Sequence, residues 1–512
     1  MGGSLSREDQ DDAEKKGSVE PCTSSCTPGS TVLCPKAGLY WSYLPDFYQA
    51  CGGRDRLQGL STHQVCEQFV KPMVKQGDQS FCEWLESQQH PSVAAQAAVF
   101  ICHDWQSEFL KIIESLECHF GPAASDGSND DTSTRHKRPI IWMSLFSLNP
   151  HKQYSSLDNP QWFHSLQSTI TEIGRTVVVM VPHPSITPNH PPLLAPPITR
   201  AWCLLELYFT GAVTPLEFAM TEHQKKQFFQ TLIEHDPNDM LHQIQALIDM
   251  ERSHASVAQD KQAILRHIML QSMGMAPANA LVLDQYRNWV IATCQQALNE
   301  CDNDTELLQL YNVMGELYRH QGNYVRAECQ LERCFQISFQ FDKKKRKELQ
   351  PEICKAMHNL ARLYHKQEHH AEAKTLLEDC LAQRKKLLGP SHPDTLSSIN
   401  LLANILLRLG GDHQQTNHAA AMALYDDCWN QRKTVLGGNH PATLASMHNR
   451  AAIWLDRHKY DKAEPLFEAC LEKELQLLGR YHPHTLVTMD NMVITYERKA
   501  NTNVLAQSSK LD

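Results

Sequence analysis

Four stretches of the C-terminal half, PEICKAMHNLA, PDTLSSINLLA, PATLASMHNRA and PHTLVTMDNMV, align with Pro351, Pro393, Pro441 and Pro483 in register, at separations of 42, 48 and 42 residues. A unit of that length cannot bury its own apolar face and must stack on copies of itself, which commits this half of the chain to a solenoid. Each unit reads as helix, turn, helix. Proline opens helix A, where its missing N–H is not needed. Leu396, Ile399, Leu402 and Leu406 then recur on one face, toward the stack. Gly389, Gly437 and Gly479 close helix B, where a left-handed residue ends a helix. The segment GGDHQQTNHA absorbs the longer separation.

The same register explains most of the chemistry-bearing residues of this half. Cys380, Cys428 and Cys470 fall at one place in helix B, with Cys334 aligned in a degenerate first unit at about 306–345, so they read as one small packing residue used four times. The 17 cysteines include no CxxC pair, which fits reduced thiols better than disulfides or a metal. His392, His440 and His482 each precede a proline and read as hydrogen-bonding residues at helix starts. The run KKKRK at 343–347 reads as a solvated helix end, with a nuclear localisation signal as the alternative. The HPxTL signature, in LLGPSHPDTL and LGGNHPATL, resembles the tetratricopeptide repeats (TPR) of the kinesin light chain type over about 306–500. That resemblance implies a superhelix whose concave groove binds a protein or peptide partner.

From about 92 to 225 short apolar runs alternate with amphipathic segments, the pattern of an α/β domain with a mostly parallel sheet. AAVFICHDW, PIIWMSLFSL, RTVVVMVP and VTPLEFAM read as strands; SEFLKIIESLECHF, WFHSLQSTITEIG and RAWCLLELYF read as helices. A buried strand followed by a loop and TRAWCLLELYF resembles the corresponding segment of TIR domains, carried by Trp202, Cys203, Leu204, Glu206 and Leu207. The nearer match is a protist group of TIR-like domains joined to such repeats. The resemblance implies a flavodoxin-like fold. In TIR domains that cleave NAD the helix glutamate is catalytic, which places that role on Glu206, with Asp104, Trp105 and Trp202 as nucleotide-binding residues. A carboxylate near the ribose can stabilise the oxocarbenium-like state that forms as nicotinamide departs. The alternative is a surface carboxylate near a helix start, paired with Arg200, with Trp202 and Cys203 in the core.

Around these parts the chain divides into a disordered tail (1–35), a helical N-terminal extension (36–91), the TIR-like domain (92–225), a helical connector (226–300), the repeats (301–500, about four, the last one capping) and a tail (501–512). The first residues, MGGSLS, match the N-myristoylation pattern with Gly2 as acceptor, which implies weak peripheral membrane association; an unmodified Gly-Ser start reads equally well. Forty-eight Lys plus Arg against 58 Asp plus Glu give a net charge of -10, which argues against a nucleic-acid partner. The acidic N-terminus and the absence of a long apolar run point to a cytoplasmic protein. The motifs of P-loop, dinucleotide, GxSxG and HExxH enzymes are missing. Two functional readings follow. One is a signalling or scaffold protein in which the repeats bind a partner and the TIR-like domain forms homo-oligomers. The other is an NAD hydrolase regulated by the repeats, with NAD as substrate. Neither requires a cofactor or a metal.

Overall fold

The structure, a computed structural model, describes residues 34–74, 79–123, 139–152, 160–181, 197–211, 216–234, 244–245, 247–272, 274–409, 414–480 and 483–508. Gly2, most of the 1–35 tail, His482, the last residues of the 501–512 tail and the proline-rich stretch up to Pro196 lie outside the described residues. The chain is α/β followed by all-α. A six-stranded mixed sheet has the order β2-β1-β4-β3-β5-β6, built from β1 (Gly38–Tyr40), β2 (Val93–Ala94), β3 (Val99–Cys102), β4 (Ile140–Met143), β5 (Thr176–Val179) and β6 (Leu216–Ala219). Strands β3 to β6 are parallel, while β1 runs antiparallel to β2 and β4. Among the parallel strands the order is second, first, third, fourth, as in flavodoxin-like folds.

Side-chain alternation makes this sheet the middle of three layers. Val99, Ile101, Ile141, Met143, Val177 and Val179 point to one face, and Phe100, Cys102, Trp142 and Val178 to the other. The crossover helix α1 (Phe109–Phe120) covers the first face. Helices α2 (Pro160–Ile173) and α3 (Ala201–Thr210) cover the second. The run PIIWMSLFSL is a strand only as far as Met143. Ser144–Ser147 is a short helix, because Leu145 and Phe146 are both buried on one face, which alternation forbids and a helical turn allows.

The segments on either side of the α/β pattern are built into it. The 36–91 segment is not helical throughout: it supplies β1 and covers the first face with Trp41, Phe47 and Phe81, where the Phe47 and Phe146 rings meet edge to face at 5.1 Å. Cys34 and Pro35, assigned to the tail, are fixed as well: the Cys34 N–H donates to Ser165 Oγ at 2.7 Å and the Trp142 indole to the Pro35 carbonyl at 2.7 Å. Within 226–300, α4 (Ala258–Ser272) and α5 (Met275–Glu300) pack on α3 and continue the second-face core through Ile264, Ile268, Val282 and Tyr286.

The repeats form four helix pairs and a fifth helix A. The pairs are α6 (Asp304–His320) with α7 (Tyr324–Gln340), α8 (Gln350–Lys366) with α9 (His370–Leu387), α10 (Pro393–Arg408) with α11 (Gln414–Val435), and α12 (Pro441–Asp456) with α13 (Tyr460–Leu477). The fifth helix A is α14 (Pro483–Ser508). Leu396, Ile399, Leu402 and Leu406 are all buried in the stack. In the first pair Gly315 permits the close approach of α7, since a Cβ there would lie 2.6 Å from Leu331. The KKKRK run is the start of a separate short helix, Lys343–Glu348, capped by Asp342, rather than the end of helix B. Among the described residues no helix is long and apolar enough to cross a membrane.

Candidate functional site

At the carboxyl ends of β3 and β4 the backbone leaves a pocket of about 400 Å3. It lies beside the point where successive crossovers change sides of the sheet, the place where open α/β sheets take ligands. Asp104, Trp105, Trp202 and Glu206, the four residues singled out in the sequence, all line it. Each is anchored by its own element. The Trp105 indole donates to Ser144 Oγ at 2.7 Å, and the Trp202 indole to Asp260 Oδ2 at 3.0 Å, so two aromatic walls are fixed by the chain segments that follow them. Asp104 is buried and accepts from Arg200 Nε at 3.1 Å. Arg200, the expected surface partner of Glu206, is thus paired with Asp104, and it also donates to Ser256 Oγ at 2.8 Å. The start of α3 is held by reciprocal backbone bonds, Ala201 N–H to His254 O at 2.9 Å and His254 N–H to Thr199 O at 2.8 Å.

His103 and Asp104 are neighbours in sequence, yet both face the pocket, because β3 ends at Cys102 and strand alternation stops there. The His103 ring is buried, makes no well-formed hydrogen bond and is held neutral, its pKa lowered to about 4 by burial. Glu206 projects from the second turn of α3 and lines the same pocket. Burial pushes its carboxyl up to about 8, a rise that the Cys102 thiol partly offsets by hydrogen bonding. Cys102 Sγ, Cys203 Sγ and a Glu206 oxygen lie within 4.8 Å of one another. The rim is completed by residues the sequence did not single out: His63, Glu67 and Lys71 from the N-terminal segment, Lys152, and His254 and Asp260 from the connector. No motif marks them, since they reach the pocket only through tertiary packing.

A second candidate surface runs along the A helices, on the side where they approach one another. Gln309 Nε2 donates to Glu352 Oε1 at 3.0 Å and Asn312 Nδ2 to the Glu352 carbonyl at 3.2 Å, joining α6 to α8. His358 Nδ1 and Ser398 Oγ, 3.2 Å apart, join α8 to α10. Asn449 Nδ2 donates to Asn400 and Asn404, each at 3.4 Å, and Asn491 Nδ2 lies 3.2 Å from His448 Nε2. The result is a ladder of amides and imidazoles. Asn400, Asn404, Asn449, Asn491 and His448 are half-buried. At its N-terminal end, fully buried Glu316 pairs with Arg319 at 2.9 Å and Arg362 at 3.5 Å.

Comparison with protein-family models matches tetratricopeptide repeats at residues 352–415 and again at 443–484. The solenoid is a tetratricopeptide repeat array. No curated protein matches the sequence. Among solved structures, BtubC (BKLC) from P. vanneervenii is similar at 16% identity, over 42% of this chain and 84% of that one, with a TM-score of 0.35. A putative kinesin light chain from Podosopora anserina with nearly identical TPR-like repeats is similar at 22% identity, over 40% and 93%, with a TM-score of 0.32. A STAND signal transduction ATPase with a tetratricopeptide repeat sensor, from Pyrococcus horikoshii, is similar at 11% identity, over 91% and 63%, with a TM-score of 0.35.

Within the tetratricopeptide array each residue of the HPxTL signature has a job. The imidazoles of His392 and His440 cap their helices, accepting from Asp394 N–H at 3.2 Å and Ala442 N–H at 3.1 Å. Thr395 and Thr443 donate to the carbonyls of Gly389 and Gly437, each at 2.9 Å, and those glycines have φ of 92° and 90°. The helix B cysteines of all four repeats are buried, each thiol donating to a carbonyl of the preceding helix A: Cys334 to Leu308 at 3.5 Å, Cys380 to Cys354 at 3.2 Å, Cys428 to Leu396 at 3.3 Å and Cys470 to Leu444 at 3.5 Å. Four residues further along, Arg384 and Arg432 donate to the Asp394 and Ala442 carbonyls at 2.7 and 2.8 Å, tying each repeat to the next helix A.

Proposed function

We propose that the chain is a signalling scaffold: its tetratricopeptide array takes an extended polypeptide along the A-helix ladder, and its α/β domain, TIR-like in the order of its elements, assembles with further copies. The amide ladder carries this reading. An asparagine amide offers both donor and acceptor, so a row of half-buried amides suits the backbone of an extended chain whatever its side chains. Peptides selected against the purified protein from a random display library test it. Replacing Asn400, Asn404 and Asn449 together by alanine is expected to weaken the selected peptides at least about tenfold, roughly 1.4 kcal/mol, and unchanged affinity contradicts the proposal. Sedimentation velocity with and without such a peptide tests assembly, with larger species expected when the groove is filled.

A second reading, NAD hydrolysis, is favoured by one observation: Glu206 lines the same pocket as Trp105 and Trp202. Its carboxylate would stabilise charge on the ribose while the aromatic walls hold the rings. Because the Glu206 carboxyl titrates near 8, a reaction that uses the ionised form rises as pH approaches and passes that value. Nicotinamide release from NAD by the peptide-clustered protein, abolished in Glu206→Gln, is the expected result. Release that persists in the variant removes Glu206 from the chemistry, and no release by the clustered wild type removes the hydrolase.

A further inference from the structure

Beneath the pocket, three groups with metal-ligand chemistry converge that neither functional reading requires together. We propose that Cys102, Cys203 and Glu206 form a zinc site with its fourth coordination position facing the pocket. Their donor atoms lie within 4.8 Å of one another. Tetrahedral zinc with bonds of about 2.3 Å to sulfur places its ligand atoms about 3.8 Å apart, so a contraction of about 1 Å closes the shell. Rigid elements hold all three donors. Cys102 is the last residue of β3, in the centre of the parallel strands, and Cys203 and Glu206 sit three residues apart on one face of α3.

Cys203 donates to the His103 carbonyl at 3.4 Å, whereas Cys102 reaches the Cys203 carbonyl only at 4.0 Å, the upper limit for a thiol hydrogen bond. Neither belongs to the register of the repeat cysteines, which are packing residues. Cys203 and Glu206 line the pocket, which supplies the entry path. The buried His103 ring, without a well-formed hydrogen bond, lines the same pocket and can accept a bond from a water in the open position. Two thiols and a carboxyl each carry a proton that metal binding must release. A divalent cation replaces those protons: as each S–Zn bond forms, its S–H proton leaves to solvent, and the carboxyl proton follows. Two thiolates with a carboxylate and an open position match zinc better than calcium or magnesium.

The site is tested on the full-length protein, purified reduced and stripped with a chelator, by titration with Co2+ in the absence of oxygen. A thiolate-to-cobalt charge-transfer band that saturates at one ion per chain and is displaced by Zn2+ is expected. Cys203→Ser is expected to lose most of that band, and Cys102→Ser likewise. Should a serine variant misfold, Glu206→Gln, similar in shape and checked by circular dichroism, is expected to bind cobalt at least about tenfold more weakly. No thiolate band in the wild type, or a band of full intensity in both cysteine variants, overturns the proposal. The readout is spectroscopic, so its failure leaves NAD hydrolysis and peptide binding untouched.

Discussion

Glu206 costs the fold free energy above the ordinary carboxylate range. Its carboxyl titrates near 8 in the folded chain and near 4.3 in an unfolded one, so between those values the folded state keeps a proton that the unfolded state has lost. Stability therefore falls as pH rises across that window. His103, lowered to about 4, acts in the opposite direction at acid pH, where stability is lost as pH falls below about 6.5. Above 6.5 that ring is neutral in both states and the Glu206 contribution stands apart. With chelator present, the melting temperature of the wild type is expected to decline more steeply than that of Glu206→Gln between about 6.5 and 8; parallel profiles would show that the carboxyl is not desolvated. The four pocket residues were legible because RAWCLLELYF and ICHDW carry them in a recognisable order. The Asp104–Arg200 pair was not. It depends on Arg200 being held against His254 and Ser256, more than fifty residues on, and no local pattern announces such a contact.

At the scale of elements, the repeat period made the helix pairs, the capping histidines, the closing glycines and the helix B cysteines readable, because each recurs in register. What the period concealed is how the pairs are joined. Arg432 is buried and donates to the Ala442 carbonyl, Ser446 Oγ and Ser397 Oγ at 2.8, 2.8 and 3.1 Å. Arg432→Ala removes all three bonds and is expected to cost about 2–3 kcal/mol in urea unfolding. A loss below about 0.5 kcal/mol would show that the guanidinium's desolvation cancels its bonds. Glu474 stands in the equivalent place of the last pair, and its carboxylate instead accepts from the Cys470 thiol at 3.5 Å. Short elements without a period were the other blind spot. Strand β1 is three residues long and the helix at Ser144–Ser147 four, too few for alternation or a helical stripe to register.

At the scale of the molecule, one of its apolar cores runs from Phe100 and Trp142 in the sheet, through Leu204, Ile264 and Tyr286, to Leu310, Leu317, Leu331 and Leu360 in the first two repeats. The segment read as a connector is thus the shared wall of both halves. Truncation after Glu300 strips α5 of its α6 cover, and the shortened protein is expected to melt well below the full chain; equal melting temperatures would mean the halves fold independently. Hydrogen exchange with a display-selected peptide bound tests the scaffold reading most directly. Protection confined to the A helices, at 350–366, 393–408, 441–456 and 483–508, is the result expected. Protection on α9, α11 and α13 with the A helices unchanged would contradict it.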